Sequence, residues 1–240
     1  MDFLSFLQCY CSCLQDVELY CKSNKDGKQI GDCPFAQFIQ LVLLKKGIPY
    51  KVIPTMSDNK PSWLTEKHQG KLPCLVNKGE SISDSLAIAE YIERMYPHSS
   101  LTRQGAYSYQ EVLEKTSGFF PALSAFIKNK DAPKDAALHA AVESQLDLMD
   151  EILRSTPGQY VCGIEMTLAD LYLTPQLFHA MVALEHFKDV EFYHIEGEAT
   201  RPALEAYVAR MFDMEEFNDK KAYYNIDQVI YGWKQARGDV

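Results

Sequence analysis

The chain has 240 residues, 47% of them apolar and 24% charged, and its 33 acidic side chains outnumber 24 basic ones for a net charge of −9. A chain of this length buries roughly 70–75% of its unfolded surface without disulfide or metal staples, and this composition excludes a disordered protein. The acidity argues against a duplex nucleic-acid binder, and no apolar run approaches the ~20 residues of a membrane-spanning helix, so neither nucleic acid nor membrane is an expected partner.

Residues 1–15 read as an N-terminal tail. The segment is apolar but has no Lys or Arg, so it lacks the basic start of a signal peptide and the Arg-rich face of a transit peptide. A cytoplasmic address is expected, with the plastid as the second choice. Seven cysteines cannot all pair internally, and their spacing is not that of a secreted disulfide framework. Cys9, Cys11 and Cys13 lack a neighbouring His or a second Cys pair at zinc spacing, so no metal site is expected; exposed or lipidated thiols suit them better.

Val17–Cys21 alternates as a short strand, and the polar stretch from Lys22 to Lys28 reads as a loop. Phe35–Leu44 is a helix, with Pro34 just inside its start and Lys45, Lys46 and Gly47 at its end. Tyr50–Ile53 is a second strand, and strand–helix–strand implies a parallel pair. Leu72–Val76, a turn at Asn77–Glu80 and Ser81–Ser83 form a hairpin. A helix then runs from Leu86 to Met95 and stops at Tyr96-Pro97. The order βαβ then ββα defines a thioredoxin-like domain over residues 16–98. The remainder, 99–240, reads as all-helical, with apolar spacing of three and four through Ala106–Lys130, Ala136–Arg154, Leu168–Ala183 and Arg201–Met211. Thr167-x-x-Asp170 is a capping box, and Met166 and Leu171 are placed as its hydrophobic staple. The last thirty residues read as a surface helix and a mobile tail.

Cys33 is the candidate nucleophile. It precedes Pro34 at the start of the first helix, where unpaired amides and the macrodipole favour an anion, so a lowered thiol pKa is expected. The fourth position of a Cys-x-x-Cys motif starting at Cys33 is Ala36, so no internal disulfide across it can form and an external thiol, glutathione, must resolve its oxidised state. The plainer alternative is a small buried hydrophobe. Asp32 next door disfavours a thiolate, and Lys22 at the end of the first strand lies where it can offset that charge. Both can also contact a polar, oxygen-rich substrate, or simply be solvated loop residues.

Two further signals lie downstream. In this fold the Leu72-Pro73 bond is expected to be cis and to present the Leu72 backbone to an extended peptide. Asp84-Ser85 opens a helix: the hydroxyl and the amides suit a carboxylate and Asp84 suits an α-ammonium, the two groups of glutathione's γ-glutamyl end. Read alone, the pair is equally a helix cap. Lys60, in the loop before Pro61 and Trp63, can meet the glycyl carboxylate.

Gly31-Asp32-Cys33-Pro34-Phe35-Ala36-Gln37, Ser57-Asp58-Asn59-Lys60-Pro61-Ser62-Trp63, Gly70-Lys71-Leu72-Pro73 and Asp84-Ser85 resemble the dehydroascorbate reductases of plants and algae, within the glutathione transferase superfamily. The resemblance continues through Thr167–Leu171, Leu177–His179 and Val182–Lys188, and runs from Val17 to about Phe217. Omega-class transferases share the Cys-Pro-Phe start and chloride intracellular channel proteins the Asp-Cys-Pro-Phe core; both remain alternatives. The resemblance implies a glutathione transferase fold and reduction of dehydroascorbate to ascorbate through a sulfenic acid and a glutathione mixed disulfide at Cys33. It assigns Lys22 and Asp32 to the ascorbate side and Lys60, Leu72, Asp84 and Ser85 to glutathione. Glutathione is then the reducing co-substrate, no tightly bound cofactor or metal is needed, and a monomer is expected. Asn59 stands where the plant pattern often has Asp.

Overall fold

The computed structural model describes residues 17–192, 194–195, 198–199, 201–220, 222 and 224–240; the cysteines expected in an exposed N-terminal tail lie outside them. The chain divides into two compact units, 1–99 and 100–240.

The first unit is built on four strands, β1 (Glu18–Lys22), β2 (Lys51–Thr55), β3 (Cys74–Asn77) and β4 (Glu80–Ser83), in the order β2-β1-β3-β4. The β1–β2 pair is parallel, with Glu18 opposite Lys51, and the pairs β1–β3 and β3–β4 are antiparallel. Side chains alternate between the two faces, so paired residues share a face. Leu19, Cys21 and Leu75 point into a buried core with Phe38, Ile39, Leu41 and Val42 of α1 (Pro34–Lys45) and Ile88, Ala89 and Ile92 of α3 (Ser85–Met95). The other face carries Tyr20, Cys74, Val76, Ser81 and Ser83 by register. Helix α2 (Ser62–His68) covers it, with the Trp63 ring edge-on to Tyr20 at 5.2 Å. No helix is expected here from the sequence, because its seven residues bury only Leu64 and show no apolar stripe.

The basic end of α1 has a structural use beyond the helix dipole. Lys46 is almost wholly buried, and its ammonium donates to Glu93 Oε1 at 2.7 Å and to the carbonyls of His98 and Ser99 at 2.9 and 3.3 Å.

The second unit contains α4 (Tyr109–Lys115), α5 (Phe119–Lys128), α6 (Ala132–Ser155), α7 (Leu168–Lys188), α8 (Pro202–Phe212), α9 (Glu215–Asn218) and α10 (Ile226–Arg237). A two-stranded pair, β5 (His194–Ile195) with β6 (Glu198–Ala199), interrupts the helical run. The stretch expected as one helix over Ala106–Lys130 is two, because Thr116 and Ser117 turn their hydroxyls back onto the Val112 and Glu114 carbonyls and end α4. The C-terminal region departs from the expected surface helix and mobile tail: Val229, Gly232 and Trp233 of α10 are buried, and Arg237 donates to the Ile127 carbonyl.

Helix α7 is buried on nearly all sides, and its start is the best-satisfied polar point of this unit. The capping box forms as expected, but Asp170 does more than cap. Its Oδ2 accepts from the Thr167 amide and hydroxyl at 2.7 and 2.9 Å, and its Oδ1 from the Val161 amide at 2.9 Å and the Tyr207 hydroxyl at 3.1 Å. Burial pushes the Asp170 carboxyl up, and these donors pull it back. Asp170→Ala strips partners from several buried donors at about 1–3 kcal/mol each, so urea unfolding should show a loss above about 4 kcal/mol; Asp170→Asn should lose less. A loss below about 1 kcal/mol for the alanine variant would mean that the network does not hold the unit together.

Candidate active site

The site forms where β1 hands over to α1. After Lys22 the chain makes a loop closed by a bridge between Ser23 and Ile30 and by the Asn24 amide donating to the Gln29 carbonyl at 2.9 Å. The Gly31 amide then donates to the Lys22 carbonyl at 2.7 Å, and a Cβ on Gly31 would lie 2.5 Å from the Ser23 carbonyl oxygen. Only glycine permits that approach. It brings Lys22 against Asp32, with Nζ 2.7 Å from Oδ1, immediately beside Cys33.

Cys33 occupies the N-cap of α1 with Pro34 at the first helical position, and its residue is half-buried. The side chain makes no capping hydrogen bond to the helix. The expected lowering of the thiol pKa is not met. Burial pushes the Cys33 thiol up and outweighs the Ala36 and Phe35 amides, which favour the thiolate; Asp32 adds to the rise and Lys22 opposes it. A helix start supplies only a partial positive charge, and at this depth desolvation of the anion is the larger effect. Cys21 and Cys162 are buried, and their thiols are pushed up to about 12 and about 11, chiefly by burial.

The residues expected to meet glutathione lie on the loops and helix starts of the same unit. Leu72-Pro73 is cis. Lys60 donates to the Gly70 carbonyl at 2.9 Å, so its ammonium sits over the loop that leads to Leu72. Asn59 accepts from the Met56 amide at 2.7 Å through its side-chain oxygen. An aspartate oxygen would accept that amide equally well.

Asp84 is the N-cap of α3: its Oδ1 accepts from the Leu86 and Ala87 amides at 3.1 Å each. Its φ is +80°, a conformation that favours glycine, so an aspartate held there stores backbone strain. Ser85 follows at the first helical position and is nearly buried. The cap reading of Asp84 is therefore part of the geometry, whatever else the carboxylate binds. His68 is a residue that the sequence does not single out. Its Nε2 lies 2.9 Å from Ser81 Oγ and its Nδ1 3.0 Å from Ser83 Oγ.

A thioredoxin-like unit with a thiol at the start of its first helix, followed in sequence by a helical unit, is the organisation of a glutathione transferase. Residues 29–100 match the glutathione S-transferase N-terminal domain and residues 104–215 its C-terminal domain. The chain is 32% identical to glutathione S-transferase DHAR2 of Arabidopsis thaliana, over 85% of this chain and 90% of the relative. It is 34% identical to the probable cytosolic glutathione S-transferase DHAR1 of Oryza sativa, over the same shares. The crystal structure of Chlamydomonas reinhardtii dehydroascorbate reductase superposes with a TM-score of 0.77 at 31% identity, covering 92% of this chain and 98% of that one. The chain belongs to the glutathione S-transferase family and, within it, to the dehydroascorbate reductase group.

The opposing charges beside Cys33 give a test with a worked sign. Asp32 raises the thiol pKa and Lys22 lowers it. Asp32→Asn should therefore speed alkylation of Cys33 by iodoacetamide at pH 7, by about three- to tenfold, and Lys22→Met should slow it by a similar factor. The rate is read by mass spectrometry of the Cys33 peptide. Equal rates in both variants would show that the pair does not act on the sulfur.

Proposed function

We propose that this chain reduces dehydroascorbate to ascorbate at the expense of glutathione, with Cys33 as the reacting group. The observation that carries the reading is a single half-buried thiol at the start of α1, flanked by the Lys22–Asp32 ion pair, with Ala36 where a second thiol would stand. The relatives named as dehydroascorbate reductases support the substrate.

In the first step the Cys33 thiolate, dehydroascorbate and water give the Cys33 sulfenic acid and the ascorbate anion: sulfur loses two electrons and the substrate gains them with one proton. Glutathione then condenses with the sulfenic acid, releasing water and forming a mixed disulfide. A second glutathione thiolate attacks the glutathione sulfur of that disulfide, freeing the Cys33 thiolate and glutathione disulfide. Lys22 and Asp32 meet the oxygen-rich substrate. Glutathione lies extended, with its γ-glutamyl ammonium and carboxylate at Asp84 and Ser85, its cysteinyl backbone paired with Leu72 and its glycyl carboxylate at Lys60. Glutathione enters as a co-substrate, and the site calls for no resident cofactor. The protein acts as a monomer. Relatives named as cytosolic and as chloroplastic support one of those two compartments.

Burial pushes the Cys33 thiol above its ordinary pKa, so its thiolate fraction grows as the pH rises above neutral. The initial rate should therefore climb steadily from pH 7 to 9 as the acid ionises. In a dehydroascorbate assay with glutathione, Cys33→Ser should lose all measurable turnover, and Cys162→Ser, altering a buried thiol far up in pKa, should keep most of it. Equal turnover by wild type and Cys33→Ser refutes the assignment. Faster turnover of a glutathione mixed disulfide than of dehydroascorbate redirects it to a thioltransferase.

Asp84→Asn separates the cap from the ligand contact. Asparagine caps a helix as well as aspartate and tolerates positive φ, so thermal stability should hold within about 0.5 kcal/mol. The lost charge should raise KM for glutathione about tenfold or more. An unchanged KM would leave Asp84 as a cap alone.

A further inference from the structure

The residues proposed for glutathione fall into two groups, the first of them flanking helix α2. Lys60 precedes it and Leu72 follows it, whereas Asp84 and Ser85 stand where β4 meets α3. The α2 segment closes on itself: Lys60 Nζ reaches the Gly70 carbonyl at 2.9 Å, the Gly70 amide donates to Leu64 at 3.0 Å, and the Lys71 amide donates to His68 at 3.0 Å. It therefore behaves as one piece, and its hold on the sheet is thin. Leu64 is its only fully buried side chain, and a cavity of about 240 Å³ is lined by Trp63 and Lys67 of α2 together with Tyr20, Val76 and Ser81 of the sheet.

His68 spans from α2 to the sheet. Both ring nitrogens are engaged, Nε2 with Ser81 Oγ at 2.9 Å and Nδ1 with Ser83 Oγ at 3.0 Å, and the Trp63 ring stands edge-on to the imidazole at 6.4 Å. A hydroxyl both donates and accepts, so the two bonds form with either tautomer of the ring. Ser83 is bonded through the backbone to Asp84, the strained N-cap of α3. One imidazole thus ties the last residue of α2 to the residue before the second half of the site.

We propose that His68 is a positioning residue for glutathione, setting the spacing between the Lys60–Leu72 half of the site and the Asp84–Ser85 half. The proposal rests on the glutathione reading given above. An extended tripeptide spans about 10 Å and must meet both halves at once. A shift of about 1 Å in one half loses a terminal contact without touching the sulfur.

The experiment titrates S-methylglutathione, which cannot take part in thiol exchange, into the full chain by calorimetry, beside steady-state kinetics with glutathione and dehydroascorbate. His68→Ala should raise both the Kd for S-methylglutathione and the KM for glutathione about tenfold, and Ser83→Ala about threefold, while kcat at saturating glutathione stays within about twofold. His68→Gln, which keeps one donor and one acceptor at similar reach, should recover much of the loss. Unchanged Kd in either folded alanine variant overturns the proposal, as does a fall in kcat with Kd unmoved. If His68→Ala does not fold, Ser83→Ala decides by the same readouts. Wild-type protein that neither binds S-methylglutathione nor uses glutathione overturns the glutathione reading and the proposal with it, a pattern distinct from a His68 series that binds like wild type.

Discussion

The Gly31 amide meets the Lys22 carbonyl at 2.7 Å, and the rest of the site depends on that crossing. It joins the end of β1 to the start of α1 across a loop, where a side chain on Gly31 would drive into the Ser23 carbonyl. The crossing sets Lys22, Asp32 and Cys33 side by side, and so it creates both the ion pair and the electrostatic surroundings of the sulfur. Removing it separates a strand end from a helix start.

The sulfur sits between opposed effects of similar kind. Two helix amides and an ammonium favour its anion, while burial and a neighbouring carboxylate oppose it, and burial has the largest share. A thiol pushed up in pKa is less open to adventitious oxidation, because the thiolate is the reactive form. In the proposed reaction the amides and the ammonium would face the charge that develops on sulfur, which is where preorganised donors count most. The Lys22–Asp32 pair also carries both signs beside the sulfur, so the oxygen-rich substrate proposed for the site would find a donor and an acceptor without a net charge being added.

The residues proposed for glutathione also hold the architecture together. Asp84 caps α3 while holding a conformation that suits glycine, and Lys60 closes the α2 segment on the Gly70 carbonyl. A capping carboxylate still has lone pairs for an ammonium, and a lysine that bonds one carbonyl still has two donors, so neither structural role prevents binding. In the helical unit, Asp170 shows the purely structural version of such sharing. Its four bonds join the start of α7 to the Val161 segment and to Tyr207 of α8.

The strand–helix–strand, hairpin and helix order of the first unit, the helix start at Pro34 and the capping box at Thr167–Asp170 are all legible in the sequence, because period, proline and capping residues act over a few neighbours. Cys33 is legible too, from Pro34 after it and Ala36 in place of a second thiol. Helix α2 is not, since it buries one residue and its order comes from contacts to a sheet face assembled elsewhere. Nor is the buried place of α10, whose Trp233 reads as surface until other helices cover it. The pairing of Lys22 with Asp32 is anticipated by their places at a strand end and a helix start, whereas the bridge from His68 to Ser81 and Ser83 and the direction of the Cys33 pKa depend on separations through space and on depth from water. Local sequence determines which groups the chain carries and where its elements begin. Only the packed fold decides which of those groups meet and how far desolvation overrides a helix dipole.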